Sequence, residues 1–374
     1  MNPDTIGLYV HIPFCKKKCN YCDFCSFAGL DPSLRAGYLR ALSEEIASYG
    51  GEEHPPVDTV FLGGGTPSLL TPVEIADLFA ALRKTFHLLP DAEITAEANP
   101  GTLDREKIDA FCRAGVNRLS IGLQSVHESE LRTLGRIHSY ADFLDAYRLA
   151  KAGGIENIGV DLMYAFPGQT PASFRETLDT VASLAPSHIS AYGLIVEDGT
   201  PFGERRETLI LPDEDEELAM YDDACRTLAA AGYRHYEVSN YALPGRECRH
   251  NLRYWHEEEY IGFGVSAHSY YRRERFATSR DIRAYSEGKC KQLRTKEHID
   301  KANEAEEYTM LALRTSEGVD LSLYQKRFSC SFLEGREESV ARFVSLGLAT
   351  LSDTHFALSE RGFYVGNTLT AELL

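Results

Sequence analysis

Four of the nine cysteines lie between positions 15 and 25, at Cys15, Cys19, Cys22 and Cys25. Thiols this close together in a reducing compartment usually bind metal. The spacing Cys15-x3-Cys19-x2-Cys22 puts three thiolates on one short loop, which suits three corners of a [4Fe–4S] cube and leaves the fourth iron open. Zinc is the main alternative, but structural zinc sites commonly use two separated ligand pairs. A ferredoxin-type register through Cys25 fails, because Gly29 stands where its fourth cysteine is required.

Further polar and glycine residues interrupt apolar runs downstream. The run Gly63–Pro67, GGGTP, suits a backbone that approaches a ligand closely. Glu97, Gln124 and Asp161 follow in later apolar runs, and a buried carboxylate is costly unless it is paired or bound to a ligand. Each residue alone could equally satisfy a loop, so the prediction of a binding site depends on their occurring together.

These residues fall at the ends of β-rich runs that alternate with amphipathic segments. The predicted strands are 7–13, 59–67, 93–100, 118–125, 157–168 and 188–196. The predicted helices between and after them are 33–49, 72–86, 104–114, 141–153 and 171–184. Strands that alternate with helices indicate a parallel sheet. Six such units favour a curved, partial (β/α)6 barrel, in which the chemistry lies at the C-terminal ends of the strands.

The pattern changes after about residue 200. We predict a helix over 214–232, a strand over 235–242, an aromatic and histidine-rich stretch over 248–271, and then helices and a hairpin near the C-terminus. The last part suggests a small α+β, winged-helix-like unit. The predicted domains are residues 1–300 for the barrel and its extension, and residues 303–374 for the small C-terminal domain.

The net charge is 39 − 56 = −17, which argues against nucleic acid as a partner. No apolar run reaches the roughly 20 residues of a membrane span, and the N-terminal residues lack the features of a signal peptide. We therefore expect a cytoplasmic protein without an integral membrane span, whose contact with membranes is at most peripheral.

The cysteine spacing, with the aromatic Tyr21 before Cys22, resembles that of the radical S-adenosylmethionine (SAM) superfamily. The resemblance implies that SAM chelates the open iron and is cleaved to a 5′-deoxyadenosyl radical. Within the superfamily, the later motifs resemble the oxygen-independent coproporphyrinogen III oxidase-like (HemN-like) branch over nearly the whole chain. The positions that the resemblance assigns to SAM are Tyr9, Tyr21, Gly64, Gly65, Thr66, Glu97, Gln124, Arg136 and Asp161.

Two features resemble the HemW-type heme chaperones more than the oxidases. Phe24 stands where the oxidases usually carry cysteine, and only 14 residues precede Cys15. The stretch His250-Asn251-x-x-Tyr254-Trp255 looks like the HNxxYW motif of the chaperones, which implies heme contact by His250. Cys248 is a weaker, thiolate alternative.

The resemblance implies a protein that binds [4Fe–4S], SAM and heme and delivers heme to an acceptor protein, which could be membrane-associated. It permits a homodimer. The alternatives are radical decarboxylation of coproporphyrinogen III and radical SAM chemistry on another substrate, so enzymatic activity stays open. Heme propionates are anionic, and a local basic patch could offset the acidic chain. The candidates, which could equally form a solvated face, are Arg246, Arg249, Arg253, Arg272, Arg273 and Arg275.

Overall fold

The computed structural model describes residues 4 to 374, and for residues 301 and 302 only the backbone. The first three residues of the predicted 1–300 domain therefore lie outside the described part. The strands are β1 Ile6–Ile12, β2 Phe14–Cys15, β3 Phe27–Ala28, β4 Val57–Gly64, β5 Leu88–Ala98, β6 Arg118–Gln124, β7 Asn157–Tyr164, β8 His188–Gly193, β9 Arg234–Glu237, β10 Asn240–Ala242, β11 Tyr260–Phe263, β12 His268–Tyr271, β13 Glu274–Thr278, β14 Arg294–His298, β15 Val319–Asp320, β16 Ala349–Leu351 and β17 His355–Leu358.

The α-helices cover the outer faces of these strands and build most of the C-terminal region. They are α1 Pro32–Ala47, α2 Pro72–Thr85, α3 Arg105–Ala114, α4 Glu128–Thr133, α5 Tyr140–Ala152, α6 Pro171–Ser183, α7 Glu214–Ala230, α8 Arg249–Trp255, α9 Ile282–Ser286, α10 Lys301–Ala312, α11 Leu321–Phe328, α12 Glu337–Ser345, α13 Glu360–Tyr364 and α14 Gly366–Leu373. Short 3-10 helices span Pro67–Leu69, Gly203–Thr208 and Cys290–Leu293.

Six parallel strands form the centre of a 12-stranded sheet, in the order β1-β4-β5-β6-β7-β8. All six are the predicted strands, and their C-terminal ends lie at one edge, as expected for successive βα units. The predicted fold class, a partial (β/α)6 barrel with a small α+β C-terminal part, is therefore confirmed.

The barrel forms because each helix buries one apolar stripe against the sheet. Helix α2 buries Ile75, Leu78, Phe79 and Leu82 at helical spacing. It begins with a capping box, in which the Thr71 hydroxyl accepts from the N–H of the third helical residue. The strands that the helices cover, such as β6, are buried along their whole length. This is typical of parallel sheets with helices packed on them.

Several elements that complete the sheet were not predicted from the sequence. Strand β11 pairs in parallel with β1 and extends the barrel on that side, followed by antiparallel β12, β13 and β14. The segment predicted as one strand over 235–242 is two strands, β9 and β10, which pair antiparallel with each other. Helix α4 was also not predicted. The short lengths of these elements gave too few repeats for a periodic pattern.

The C-terminal region contains a three-stranded antiparallel sheet in the order β15-β17-β16, with helices α10 to α14 around it. The hairpin β16–β17 lies within the predicted segment. The exact domain boundary near residue 300 stays a prediction. Among the described residues, no helix is long and apolar enough to cross a bilayer.

Candidate functional site

One cavity lies at the C-terminal ends of the parallel strands, and the cysteine loop forms part of its wall. It contains about 960 Å³ of space free of atoms, some of it open to solvent. The predicted residues that line it are Cys15, Tyr21, Cys19, Cys22, Gly64, Gly65, Thr66, Glu97, Gln124, Arg136 and Asp161. Tyr9 and His250 are not among its lining residues.

The three cysteines of the predicted cluster site are unpaired thiols and partly exposed. Strand β2 ends at Cys15 and pairs with β3, which closes the loop between them. Arg136 donates from Nη1 to the Sγ of Cys19 over 3.5 Å, and the hydroxyl of Thr66 lies 3.6 Å from the Sγ of Cys15. Positive charge and donors beside sulfur stabilise thiolates. The loop therefore has the donor set that a [4Fe–4S] cluster with one open iron requires.

Gly64 and Gly65 form a backbone surface that no other residue could replace. Gly64 has a φ of +106°, and a Cβ there would come within 2.3 Å of the His11 ring. A Cβ on Gly65 would lie 2.7 Å from the carbonyl oxygen of Phe14. Glycine is therefore required here by the close approach of β4 to β1 and Phe14, and the backbone of both glycines forms part of the cavity wall.

Tyr9 does not line the cavity, but its hydrogen bonds connect β1 to the end of the cysteine loop. Its hydroxyl donates to Nδ1 of His11 over 2.9 Å, and Nε2 of His11 donates to the carbonyl of Cys25 over 2.8 Å. Burial lowers the pKa of His11 to about 4, so the ring is neutral and can carry one proton on Nε2. This chain of hydrogen bonds fastens the end of the cysteine loop to β1. The Cys25 side chain is itself buried in the main core.

Two carboxyl groups line the cavity, those of Glu97 and Asp161. Asp161 accepts hydrogen bonds from Ser120 over 3.0 Å and from Ser190 over 2.8 Å. Glu97 accepts from the backbone N–H of Gly64 over 3.1 Å. Burial, and then the charge of Asp161, raise the pKa of Glu97 to about 8. At neutral pH the Glu97 carboxyl is therefore mainly protonated, and it can donate a hydrogen bond to a ligand.

Arg136 connects the two sides of the cavity. Its Nη2 donates to the backbone carbonyl of Gly122 over 2.6 Å and also to the side chain of Asn99. Asn99 in turn donates to the Thr66 hydroxyl over 2.8 Å. Gln124 has a φ of +75°, which is strained for a residue with a side chain and is common at ligand sites.

Sequence reasoning missed the residues that position the predicted ones. Asn99 holds Thr66 and Arg136, while Ser120 and Ser190 hold Asp161. The position of Asn99 could have indicated its role. It lies two residues after Glu97, and in a strand residues with this spacing point to the same face. The serines carried no signal of their own, because they lie inside predicted strands that read as core.

His250 lies outside the cavity, in α8. Its ring is fully buried, is 5.4 Å from the ring of Phe61, and has both nitrogens hydrogen-bonded. Nδ1 is 2.9 Å from the hydroxyl of Thr59, and Nε2 is 2.8 Å from that of Tyr254. Burial, and then the charge of Arg253, lower the pKa of His250 to about 3. In this conformation the ring offers no free nitrogen to a heme iron.

Cys248, the thiolate alternative, is also fully buried, and it donates from Sγ to Glu93 over 3.7 Å. Burial raises the pKa of this thiol to about 12. The group is therefore a neutral thiol at physiological pH, which is the inert form of cysteine.

The predicted basic patch does not form as free charge, because carboxylates neutralise four of the six arginines. Arg249 and Arg253 pair with Asp58, over 3.4 and 2.5 Å. The others pair in the same way: Arg273 with Glu304 over 2.7 Å, and Arg275 with Glu307 over 2.6 Å. The sequence could not show this, since most of these partners are far away along the chain.

This combination of a partial barrel, a three-cysteine loop and a glycine-walled cavity defines a radical SAM protein. The family model of the radical SAM superfamily matches residues 9–181, and that of the HemN C-terminal domain matches residues 299–365. Membership of the superfamily implies a [4Fe–4S] cluster and SAM. When bound, the cluster supplies an electron and SAM supplies an adenosyl group for radical chemistry. The donors around the cysteines and the open glycine wall fit both groups.

The chain belongs to the HemW family of the radical SAM superfamily. It is 35% identical to the heme chaperone HemW of Lactococcus lactis, over 98% of this chain and 96% of that one. It is 34% identical to HemW of Bacillus subtilis, over 98% of both chains. A bovine protein named radical S-adenosyl methionine domain-containing protein 1, mitochondrial, is 33% identical over 98% of this chain and 87% of its own length.

Among solved structures, the coproporphyrinogen III oxidase HemN of Escherichia coli is similar over 100% of this chain and 91% of its own, with a TM-score of 0.85. The sequence identity is 24%, so the likeness concerns the fold alone. This chain and an oxidase therefore share one architecture, and the fold alone does not indicate the function.

Proposed function

We propose that this protein is a heme chaperone, which binds heme and delivers it to an acceptor protein. The observation that carries the proposal is the similarity to HemW chaperones along 98% of the chain. Two local features support it. Phe24 replaces the cysteine expected of the oxidases, and its side chain is 69% exposed at the cavity that the cysteine loop lines.

The mouth of that cavity suits a large apolar ligand. Ile137 lines it together with Phe24 and is 59% exposed. Tyr192 and Ile195, at and just beyond the end of β8, are exposed as well. Exposed apolar side chains at a concave site mark ligand or protein contacts. A porphyrin face could pack on them while the SAM-binding residues lie deeper.

A contact between His250 and heme is a second, alternative placement of the heme, because Thr59 near the start of β4 holds His250 away from the cavity mouth, and it requires a rearrangement. Tyr254 must turn away from Nε2 to release a ring nitrogen for the iron. Tyr254→Phe removes that hydrogen bond, so it should raise heme affinity several-fold, whereas His250→Ala should remove the spectrum of histidine-ligated heme. If both variants bind heme like the wild type, His250 is a packing residue of α8 and not a heme ligand.

The alternative is radical decarboxylation of coproporphyrinogen III, because the oxidase HemN shares this fold and the fold alone does not separate the two functions. The cluster-loaded protein is incubated anaerobically with SAM, a reductant and coproporphyrinogen III, and products are separated chromatographically. We expect no protoporphyrinogen IX, with an authentic oxidase as the positive control. Its formation at an enzymatic rate would replace the chaperone proposal by the oxidase.

The acceptor protein, a homodimer and a cytoplasmic location also stay proposals. The described cysteines are all free thiols, which is typical of a reducing compartment. Affinity purification with the heme-loaded protein, compared with the heme-free protein, would identify an acceptor. Light scattering of the two forms would test dimer formation.

A further inference from the structure

Outside the cavity, three potential metal ligands meet where the barrel contacts the C-terminal region. Cys225 comes from α7, His235 from β9 and Glu360 from the first turn of α13. One ligand atom from each lies within 4.8 Å of the other two. Cys225 and His235 are only 10 positions apart, whereas Glu360 comes from much later in the chain, so the fold brings the glutamate to the other two.

The histidine is oriented as a metal ligand would be. Its Nδ1 lies 3.9 Å from the Sγ of Cys225, while Nε2 lies 3.4 Å from the carbonyl oxygen of Val238. A proton on Nε2 directed at this carbonyl leaves the lone pair of Nδ1 facing the sulfur. Histidine ligands usually donate their second nitrogen in this way.

Aromatic side chains hold these groups in place. The His235 ring stacks on Tyr241 with centroids 4.2 Å apart, and Phe363 packs edge-on against it at 5.2 Å. The hydroxyl of Tyr241 lies 3.4 Å from the Sγ of Cys225, where it could donate to a thiolate. Tyr221 donates to the backbone carbonyl of Glu360 over 2.8 Å and thereby attaches the start of α13 to α7.

We propose that Cys225, His235 and Glu360 bind one zinc-class divalent cation, with water as the fourth ligand. Thiolate, imidazole and carboxylate together are typical zinc donors. Binding displaces the thiol proton to solvent, and the thiolate and carboxylate then balance the two charges of the cation. Cys225 is buried whereas Glu360 is exposed, so the ion enters from the solvent side.

This site has a structural consequence for the C-terminal region. A metal bound there links α13 to α7 and β9, in addition to the existing hydrogen bond between Tyr221 and Glu360. The simpler explanation is a weak thiol–imidazole contact beside a glutamate that favours the start of a helix. The two explanations differ in whether all three side chains are needed to hold an ion.

The test uses the cluster-loaded protein, because an empty cysteine loop would itself take up zinc. The protein is treated with zinc chloride, desalted anaerobically, and analysed for zinc and iron per chain. We expect about one tightly bound zinc. Its X-ray absorption should show one sulfur at about 2.3 Å and nitrogen or oxygen at about 2.0 Å. A wild type without stoichiometric zinc, or with only sulfur around it, would overturn the site.

Variants locate the ion. Cys225→Ser should lose the zinc, and Glu360→Gln should weaken its binding at least tenfold, while Cys330→Ser, a change at an exposed cysteine, should retain it. Glu360 is exposed, so its variant stays interpretable even if Cys225→Ser folds poorly. Unchanged zinc affinity in Glu360→Gln, at equal iron content, would exclude the proposed ligand set.

Discussion

At the scale of single residues, the cavity combines groups that are costly to place together. The carboxyl groups of Glu97 and Asp161 are both partly buried and repel each other when charged, and Gln124 adopts a positive φ angle. Such unfavourable features persist where the surrounding structure fixes them, and they are common at ligand sites. They also make the site sensitive to single substitutions, as the following two predictions state.

We expect Glu97→Gln to change the pH dependence of stability. Burial raises the pKa of Glu97 to about 8, so the folded state keeps a proton that the unfolded chain releases. The contribution of Glu97 to wild-type stability therefore falls as pH rises from about 5 towards 8. Glutamine stays neutral and can still accept from Gly64, so the variant should gain in melting temperature relative to wild type across that range.

The measurement is thermal unfolding of the cluster-loaded, SAM-free protein at about pH 6, 7 and 8. Glu204→Gln, at an exposed glutamate, serves as the control and should follow the wild type throughout. Parallel curves for Glu97→Gln and wild type would mean that Glu97 is already ionised in the empty site.

We expect Gly64→Ala to destabilise the protein more than another glycine of similar backbone angle. Its new Cβ would lie 2.3 Å from the His11 ring, whereas at Gly154, with a φ of +94°, a Cβ meets nothing within 4 Å. Gly154→Ala should thus cost about 1 kcal/mol through backbone strain alone. Gly64→Ala should add about 1–3 kcal/mol of overpacking, and it should lose SAM affinity. Equal melting temperatures of the two variants would contradict this description of the glycine wall.

At the scale of elements, the site lies at the C-terminal ends of the parallel strands. Helix α8 packs against the opposite side of the barrel. Arg253 of α8 is fully buried and pairs with Asp58 of β4 over 2.5 Å and with Glu258 over 3.2 Å. It also donates to the carbonyl of Thr5 over 3.1 Å. Helix α8, which carries the whole HNxxYW motif, is therefore attached to the barrel through buried polar groups.

Asp58→Asn should consequently be strongly destabilising. It removes one charge from a buried pair and leaves Arg253 with less compensation, a loss on the order of 3 kcal/mol. The matched control is Asp179→Asn in the exposed pair with Arg175, which spans 3.2 Å and should cost at most about 1 kcal/mol. Thermal unfolding of both variants measures the difference, and similar losses would show that the buried pair contributes no more than a surface one.

The sequence predicted those parts of the fold and site that depend on local spacing. The cysteine loop and the strand ends with Glu97 and Asp161 follow from short motifs and periodic patterns. The roles of Asn99 and Ser190 could not be predicted from the sequence, because they depend on which strands become neighbours. The burial of His250 was also beyond the sequence, since Thr59 and Phe61 come from a strand far away along the chain.

At the scale of the whole molecule, the net charge is −17. An anionic ligand can therefore bind only where local groups offset the overall negative charge. Four of the arginines considered for that role are paired with carboxylates. Exposed apolar side chains near the cavity, including Phe24 and Ile137, are the better candidates for heme contact. Binding there would depend on apolar packing and only weakly on salt.

The most direct test of the heme chaperone proposal is an equilibrium titration of the cluster-loaded protein with hemin, followed at the Soret band. We predict a saturable spectral change that ends at one heme per chain and persists at high salt. Absence of saturation, or uptake of many weakly bound hemes, would contradict the proposal.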